Sequence, residues 1–383
     1  MNESRVAHAA SALTANAIIL GVLCYVGVLH ETDFDHYYRS LQEDEVLEWA
    51  TYWAFIGASL AFAVAAVRQR RAGVPLPWFL AGVSLFCFVV GMEEISWAQR
   101  VFSYRPPVYF LEKNFQQEFN IHNVMSTDLR KLALKLVIGV YGGLLPLMAT
   151  VTVIRRFFDR LGVVAAPLGF VPAFAATYWL YEAYPWKYSG ETVELMLGLA
   201  FLFSSLWALG RLAQPPPGAR RVATDYAVAF ACVMALGVAN TSVARLRKSH
   251  DPLYGATAQI ETDALRADFE KIARRPGGRL AGSCDVHKRV YSYKEKYDGD
   301  SLLEGRFAAL QGQGLPQERA EFFLDPWNAP YWIRDRCPDS DAGTPRRTFV
   351  YSFGPNMKRD SSATELGGDD VGAYIHEAGP ATR

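Results

Sequence analysis

The chain has 383 residues, of which 51% are hydrophobic and 20% are charged, and its formal net charge is +0. A zero net charge without a basic block argues against nucleic acid as a partner. The five cysteines form no CxxC pair, which excludes a zinc ribbon and a thioredoxin-type site. The first ~245 residues are a succession of long apolar runs and the last ~140 are polar and rich in turns, so two dissimilar parts are predicted.

Seven apolar segments of the first part have, or nearly have, the ~20 residues that a helix needs to cross a bilayer. These predicted spans are residues 9–29, 49–67, 77–97, 132–154, 161–181, 193–209 and 222–243. The first is expected to remain as a span, because no small-residue cleavage site follows it. The lipid bilayer is therefore the first predicted partner.

The charges of the short loops predict the orientation, because lysine and arginine collect on the cytoplasmic side. The loop between the first two spans is acidic, whereas the loops after spans two, four and six are rich in arginine. Those arginines are Arg68, Arg70, Arg71, Arg155, Arg156, Arg160, Arg211, Arg220 and Arg221. The N-terminus is thus predicted inside and everything after residue 243 outside. Cations after span three oppose this orientation, among them Arg100, Arg105, Arg130 and Lys131.

The predicted fold is an α-helical polytopic membrane domain of about seven spans with a small external α+β domain. Its divisions are a six-span membrane domain (1–213), a cytoplasmic proline-rich connector (214–221), a seventh span (222–244) and a periplasmic domain (245–383). In the last division a helix is expected near 257–274, and β-type runs occur at 290–293, 331–334 and 348–353. Cys284 and Cys337 can pair in an oxidising compartment or stay free, and both alternatives remain open.

Three short strings of the C-terminal part occur in an order that is typical of one family. They are D-P-W-N-A-P-Y at residues 325–331, Y-S-F-G-P-N at 351–356 and G-D-D-V-G at 368–372. With these strings, residues 222–376 resemble the C-terminal region of the major pseudopilin of type II secretion systems. The resemblance implies a membrane helix, a spine helix and a sheet, in that order. It also implies a bacterial inner (cytoplasmic) membrane, a periplasmic C-terminal domain, and envelope or secretion-system proteins as partners.

The same resemblance implies calcium, because the family binds this ion through oxygen ligands in its last loop. The corresponding residues are Asn356, Asp360, Asp369 and Asp370. Asn356 replaces an aspartate of the family, and the alternative interpretation is a solvated acidic turn. The family's G-F-T-x-x-E processing site is not found before span seven. In addition, six predicted spans come before this one. We therefore expect a pseudopilin-like domain within a larger membrane protein, not a subunit that is cut and polymerised.

Ionisable residues near the ends of two predicted spans form a second candidate site. Glutamates end span three and open span six, and a histidine lies in the loop after span three: Glu93, Glu94, Glu191, Glu194 and His122. These residue types suit a divalent metal with an acid/base group beside it, which makes Glu93, Glu94 and His122 candidate catalytic residues. Such a site requires spans three and six to be neighbours, with ligand atoms within ~5 Å of one another. The alternative is that each residue merely ends a span.

The strings E-E-I-S-W-x-Q-R, from Glu93, and N-x-H-N, from Asn120, belong to a second resemblance. Through them, residues 40–205 resemble uncharacterised bacterial polytopic membrane proteins, which implies no activity. Two functions therefore stay open at the level of the sequence. One is an interaction or assembly protein that displays the C-terminal domain, and the other is an intramembrane metal-dependent enzyme of the hydrolase class at the outer membrane face.

Overall fold

The computed structural model of the protein forms two compact units. The first comprises residues 1–98 and 120–243, and the second comprises residues 99–119 and 244–383. The structure describes residues 3–42, 44–73, 77–102, 107, 109–110, 114, 118–213, 217–250, 252–273, 286–290, 325–327, 329–336, 347–356 and 359–377. Cys284 and Cys337 lie outside the described residues, so their pairing remains a prediction.

Most of the helices in the described residues belong to the first unit. In chain order they are α1 (Glu3–Thr32), α2 (Phe34–Ser40), α3 (Val46–Arg71), α4 (Trp78–Glu94), α5 (Gln99–Phe102), α6 (Thr127–Met148, π-helical over Val137–Leu144), α7 (Thr152–Leu161), α8 (Val171–Ala183), α9 (Ser189–Arg211), α10 (Ala219–His250) and α11 (Pro252–Ala273). Single 3-10 turns cover Ser96–Ala98 and Leu168–Phe170.

Five of the described helices are long and apolar enough to cross a membrane, which confirms a membrane-embedded, mostly helical protein. Their spans are Val6–Thr32, Val46–Arg71, Thr127–Met148, Ser189–Arg211 and Ala219–Leu246. The other two predicted spans form shorter helices, because α4 has 17 residues and α8 has 13. At 1.5 Å per residue, these helices measure about 25 Å and about 20 Å.

Polar contacts bring the start of α4 and the end of α9 together beside α7, on one side of the first unit. The Trp78 indole Nε1 donates to the Leu161 carbonyl (2.7 Å), so the start of α4 lies beside the end of α7. Arg211, which ends α9, pairs with Asp159 of α7 at 3.4 Å. We call this side of the unit the arginine end, and its arginines are Arg68, Arg70, Arg71, Arg155, Arg156, Arg160 and Arg211. The opposite side, where α3 and α9 begin and α4 ends, is the carboxylate end.

Close packing of α3 against α9 forms the centre of the first unit. Small residues make this approach possible, and Ala50, Ala54 and Ala58 of α3 are fully buried at helical spacing. Across from them, a Cβ atom added to Gly198 of α9 would lie only 3.1 Å from the Ala54 Cβ. Two tightly packed helices hold their ends in fixed register. Their N-terminal turns therefore present the carboxylate end rigidly.

The second unit contains an antiparallel sheet of four strands in the order β1-β2-β3-β4. The strands are β1 (Val286–Arg289), β2 (Trp332–Arg336), β3 (Arg347–Ser352) and β4 (Val371–Glu377). Helix α11 packs against β3 and β4 and buries Phe269 and Leu265. This confirms the small α+β part in outline, while β1 begins four residues before the predicted 290–293 run and β4 was not predicted.

Candidate metal centres

A left-handed turn follows the two glutamates that end α4. Ser96, Trp97 and Ala98 have φ angles of 48°, 54° and 64°, a region that residues with a Cβ atom seldom occupy. Three such residues in succession persist only when their surroundings hold them. The Trp97 indole Nε1 supplies one restraint, because it donates to the Glu93 Oε1 atom at 2.7 Å.

Glu93 also fastens the loop that carries His122. Its Oε2 atom accepts the backbone N–H groups of Ile121 (2.6 Å) and His122 (3.0 Å), and the His122 Nδ1 atom lies 3.4 Å away. Asn120 adds a side-chain hydrogen bond of 3.1 Å to the Ser96 hydroxyl. The Glu93 side chain is buried and satisfied by these donors. It acts as a positioning residue for the turn and for His122.

The Glu94 side chain points about 100° away from that of Glu93 and meets the first two turns of α9. Glu94, Glu191 and Glu194 each offer a carboxylate oxygen within 4.8 Å of the others. Residues at i and i+3 share a helix face, which brings both glutamates of α9 to one partner. Three of the five predicted ligands therefore lie at a spacing that fits a metal ion, whereas Glu93 and His122 are not part of this group. Three partly buried carboxylates this close repel one another unless a cation or protons compensate.

Further charged groups surround these three carboxylates, to which we refer as the glutamate cluster. Glu48 and Glu93 are additional electrostatic neighbours of Glu94. On the positive side, His122 and Arg130 are electrostatic neighbours of Glu194. Sequence reasoning missed Glu48 and treated Arg130 only as a charge that opposes the predicted orientation. A carboxylate-rich set with one imidazole nearby suits Mg²⁺, Mn²⁺ or Ca²⁺ better than a thiolate-loving ion.

The acidic loop of the second unit holds another cluster, formed by Asp360, Asp369 and Asp370. Each offers an oxygen within 4.8 Å of the others. Backbone donors arrange it, since Asp370 Oδ2 accepts the N–H groups of Ser361 (2.7 Å) and Asp360 (3.2 Å). Asn356 donates its backbone N–H to Asp369 Oδ2 (3.2 Å) and its side-chain amide to Asp360 Oδ2 (2.7 Å). Asn356 therefore stands at the edge of the cluster as a donor.

The electrostatics of this acidic loop fit a bound cation. The Oδ1 atoms of Asp369 and Asp370 are buried and have no hydrogen-bond partner. Burial, and next the hydrogen bond to Asp360, raise the pKa of Asp369 to about 6. Burial also raises the pKa of Asp370. A hard cation with six to eight oxygen ligands would satisfy both orphaned oxygens and remove the repulsion.

The D-P-W turn and the loop before the acidic cluster are joined by hydrogen bonds. Asp325 Oδ1 accepts the N–H groups of Trp327 (3.0 Å) and Ala329 (2.8 Å), and Asp325 Oδ2 accepts the Ser352 hydroxyl at 2.5 Å. The Ser352 Oγ atom in turn accepts the N–H of Gly354 at 2.9 Å. Gly354 has a φ of 66°, and an added Cβ atom would collide with the Asp369 carbonyl. The three short strings of the C-terminal part thus belong to one hydrogen-bonded arrangement.

Comparisons of the chain with protein-family models, curated proteins and solved structures found no match. The fold and the two carboxylate clusters define a membrane-embedded helical protein with a small α+β unit and two candidate metal centres.

Proposed function

We propose that this protein is a multi-pass protein of the bacterial inner membrane that displays a calcium-binding, pseudopilin-like domain on the periplasmic side. The domain would interact with, or help to assemble, envelope proteins of a type II secretion-like machine. The observation that carries the proposal is the arrangement of the second unit, where α11 covers the sheet and the D-P-W turn is bonded to the loop before the acidic cluster.

The order of elements supports the pseudopilin-like assignment. A membrane helix (α10) leads into a second helix (α11) and then into an antiparallel sheet, with a change of helix between His250 and Pro252. The hydroxyl of Tyr331, the last residue of the D-P-W…P-Y string, donates to Glu261 of α11. That contact fixes the string against the helix. The resemblance remains a proposal about this domain alone, because the pilin processing site is not in the sequence.

We assign seven crossings with the N-terminus inside. They are the five helices long enough to cross a membrane, α1, α3, α6, α9 and α10, together with the shorter helices α4 and α8. The arginines of the loops gather at the end where α3 and α9 finish. Since cytoplasmic loops collect arginine, that end is assigned to the cytoplasm and the carboxylate end to the periplasm.

Crosslinking in cells tests the display function. A photo-reactive residue at exposed Ser362, beside the acidic cluster, should capture a component of the secretion machine in calcium and lose it in chelator. Asp369→Asn should abolish the same product, whereas Glu365→Gln, a matched change of an acidic residue outside the cluster, should leave it. Capture that is independent of calcium and of Asp369, or the absence of any envelope partner, would contradict the display function.

A second function is favoured by the glutamate cluster, and we propose it as the alternative. In it, Glu94, Glu191 and Glu194 hold a divalent metal, and the protein is an intramembrane hydrolase with its site at the carboxylate end. A bound divalent ion would supply Lewis-acid polarisation and a more acidic water. Glu93 would fix the orientation of His122, whose ring would move a proton beside the metal.

Metal analysis of the purified full chain separates the alternatives. Glu94→Gln and Glu191→Gln should each remove a stoichiometric divalent metal, and Glu182→Gln should not, because Glu182 pairs with Lys135 at 2.5 Å and is not part of the cluster. Turnover of a lipid or peptide substrate that disappears with the metal would support the hydrolase. Metal without turnover would leave only a binding site and would contradict catalysis.

A further inference from the structure

Helix α7 is a separate short helix where the sequence predicted the end of a span and a cytoplasmic loop. Span four was expected to continue to residue 154, but α6 ends at Met148 and a turn leads into a new helix at Thr152. The new helix has ten residues and ends at Leu161, where Gly162 with a φ of 72° forms a left-handed cap. Helix α6 therefore ends before Arg155 and Arg156, which belong to α7.

One side of α7 is apolar and uncovered. Val153, Phe157 and Leu161 follow at intervals of four residues and are 74%, 55% and 41% exposed. They form a stripe along the helix, because residues four apart lie on one face. Phe158 points elsewhere and is buried against the rest of the unit. The stripe is therefore the outer face of a helix that is fixed to the protein by its other side.

Positive charge adjoins this stripe. At 100° per residue, Arg156 and Arg160 flank it on the side away from Phe158. In the part of the chain that the structure describes, these two exposed arginines have no ion pair. The only acidic residue of the helix, Asp159, pairs instead with Arg211 of α9. The helix thus presents two uncompensated guanidinium groups next to an open apolar surface.

Hydrogen bonds fix the end of α7 to the arginine end of the unit. Trp78 Nε1 donates to the Leu161 carbonyl at 2.7 Å, and Gln69 Nε2 donates to the Gly162 carbonyl at 3.2 Å. Both donors belong to elements that lie beside one another, the end of α3 and the start of α4. The helix is held at the level where membrane-crossing helices begin and finish, which is the level of lipid headgroups.

We infer that α7 is an interfacial helix that binds anionic phospholipid. Its apolar stripe enters the boundary between headgroups and acyl chains, and Arg156 and Arg160 bind the phosphate groups of acidic lipids. Charge complementarity selects this partner, because an uncompensated cationic edge beside an apolar stripe is attracted to an anionic membrane surface. The inference does not depend on which leaflet the arginine end occupies, on the calcium loop or on the glutamate cluster.

Native mass spectrometry of the full chain in detergent micelles, titrated with phosphatidylglycerol or phosphatidylcholine, tests this inference. The wild-type protein should bind phosphatidylglycerol about tenfold more tightly than phosphatidylcholine, and Arg156→Gln with Arg160→Gln should remove that preference. The matched control, Arg70→Gln with Arg71→Gln at the end of α3, should change it by no more than about twofold. Arg156→Lys with Arg160→Lys should retain the preference, which separates lost charge from lost folding.

Three outcomes would overturn the lipid assignment. One is equal affinity of the wild-type protein for the two lipids. Another is an equal loss in the α7 variant and in the α3 control, which would show a diffuse field and no site on α7. The third is release of bound phosphatidylglycerol by millimolar inorganic phosphate, which would identify a free anion site. If the double glutamine variant does not fold, Arg160→Gln alone should still weaken phosphatidylglycerol binding.

Discussion

Two adjacent glutamates at the end of α4 have different roles because they face different surroundings. Consecutive helical side chains point about 100° apart, so one position cannot replace the other. Glu93 accepts hydrogen bonds from Trp97, Ile121 and His122. The Glu94 carboxylate instead lies within 4.8 Å of the two glutamate carboxylates of α9. Which of the two faces α9 was not predictable from sequence, because it depends on how α4 is rotated against its neighbours.

Glu93→Gln should therefore destabilise the fold more than it changes a metal site. The amide offers one acceptor oxygen where the carboxylate has two, so a buried N–H group is left unsatisfied at about 1–3 kcal/mol. Unfolding of the full chain in mixed micelles measures the change. Glu182→Gln, a change of a half-exposed glutamate near the same end, is the control and should have little effect. Equal stability of the two variants would show that Glu93 does not hold the loop.

The pKa of Asp369 predicts that calcium binding depends on pH. Because that pKa is raised to about 6, the carboxyl takes up a proton below this value and competes with the cation. Affinity should fall by about tenfold between pH 7 and pH 5. For the calcium-free protein, the same raised pKa makes the free energy of unfolding decrease as pH rises, which is opposite in direction to the effect on calcium affinity. A raised pKa means that this group's contribution is full below its ordinary value and is lost as pH rises through about 6.

Calorimetric titrations at the two pH values, with Glu365→Gln as a control for the charge of the loop, measure the calcium effect. An affinity that does not change between pH 7 and pH 5 would show that Asp369 is not a ligand.

The π-helical segment of α6 approaches α8 closely at one glycine. Gly142 lies against the ring of Phe174 in α8, and an added Cβ atom would collide with that ring. Gly142→Ala should therefore destabilise the protein by about 1–3 kcal/mol through overpacking. Gly143→Ala is a matched control in the same turn, since no atom lies within 4 Å of its added Cβ. Comparable stabilities of the two alanine variants would mean that α6 does not pack closely on α8.

Helices of the membrane part were predictable because long apolar runs have few alternatives to a helix. The separate helix α7 was not, since the turn at residues 149–151 contains neither glycine nor proline to announce it. Strand β4 was missed for a related reason. Gly372 interrupts its pattern, and the strand forms because its backbone pairs with β3 next to Tyr351. The spacing of Glu191 and Glu194 predicted that they share a helix face. Glu48, in contrast, lies near the glutamate cluster because of how the helices pack, which the sequence pattern does not indicate.

Charge is distributed unevenly between the two ends of the first unit. One end collects arginines, and the other presents buried or partly buried glutamates and an aromatic group around His30, Tyr37 and Trp186. Aromatic rings of this kind lie at membrane–water interfaces. This asymmetry is the basis for the proposed orientation.

Cysteine labelling in cells tests that orientation. In a background without native cysteines, His36→Cys on α2 should react with a membrane-impermeant maleimide added from the periplasmic side. Arg70→Cys, at the arginine end, should react only after the inner membrane is made permeable. The reverse pattern would place the second unit in the cytoplasm and remove the display function.

Calcium binding by the intact chain is the most direct test of the account, because the acidic loop is the chemical feature on which the display function depends. Isothermal titration of the full-length protein in detergent should reveal a calcium site that disappears in Asp369→Asn with Asp370→Asn. Glu94→Gln should retain it, which distinguishes the loop from the glutamate cluster. If the wild-type chain binds no calcium, or if the double asparagine variant binds it as tightly, the account of the second unit is wrong.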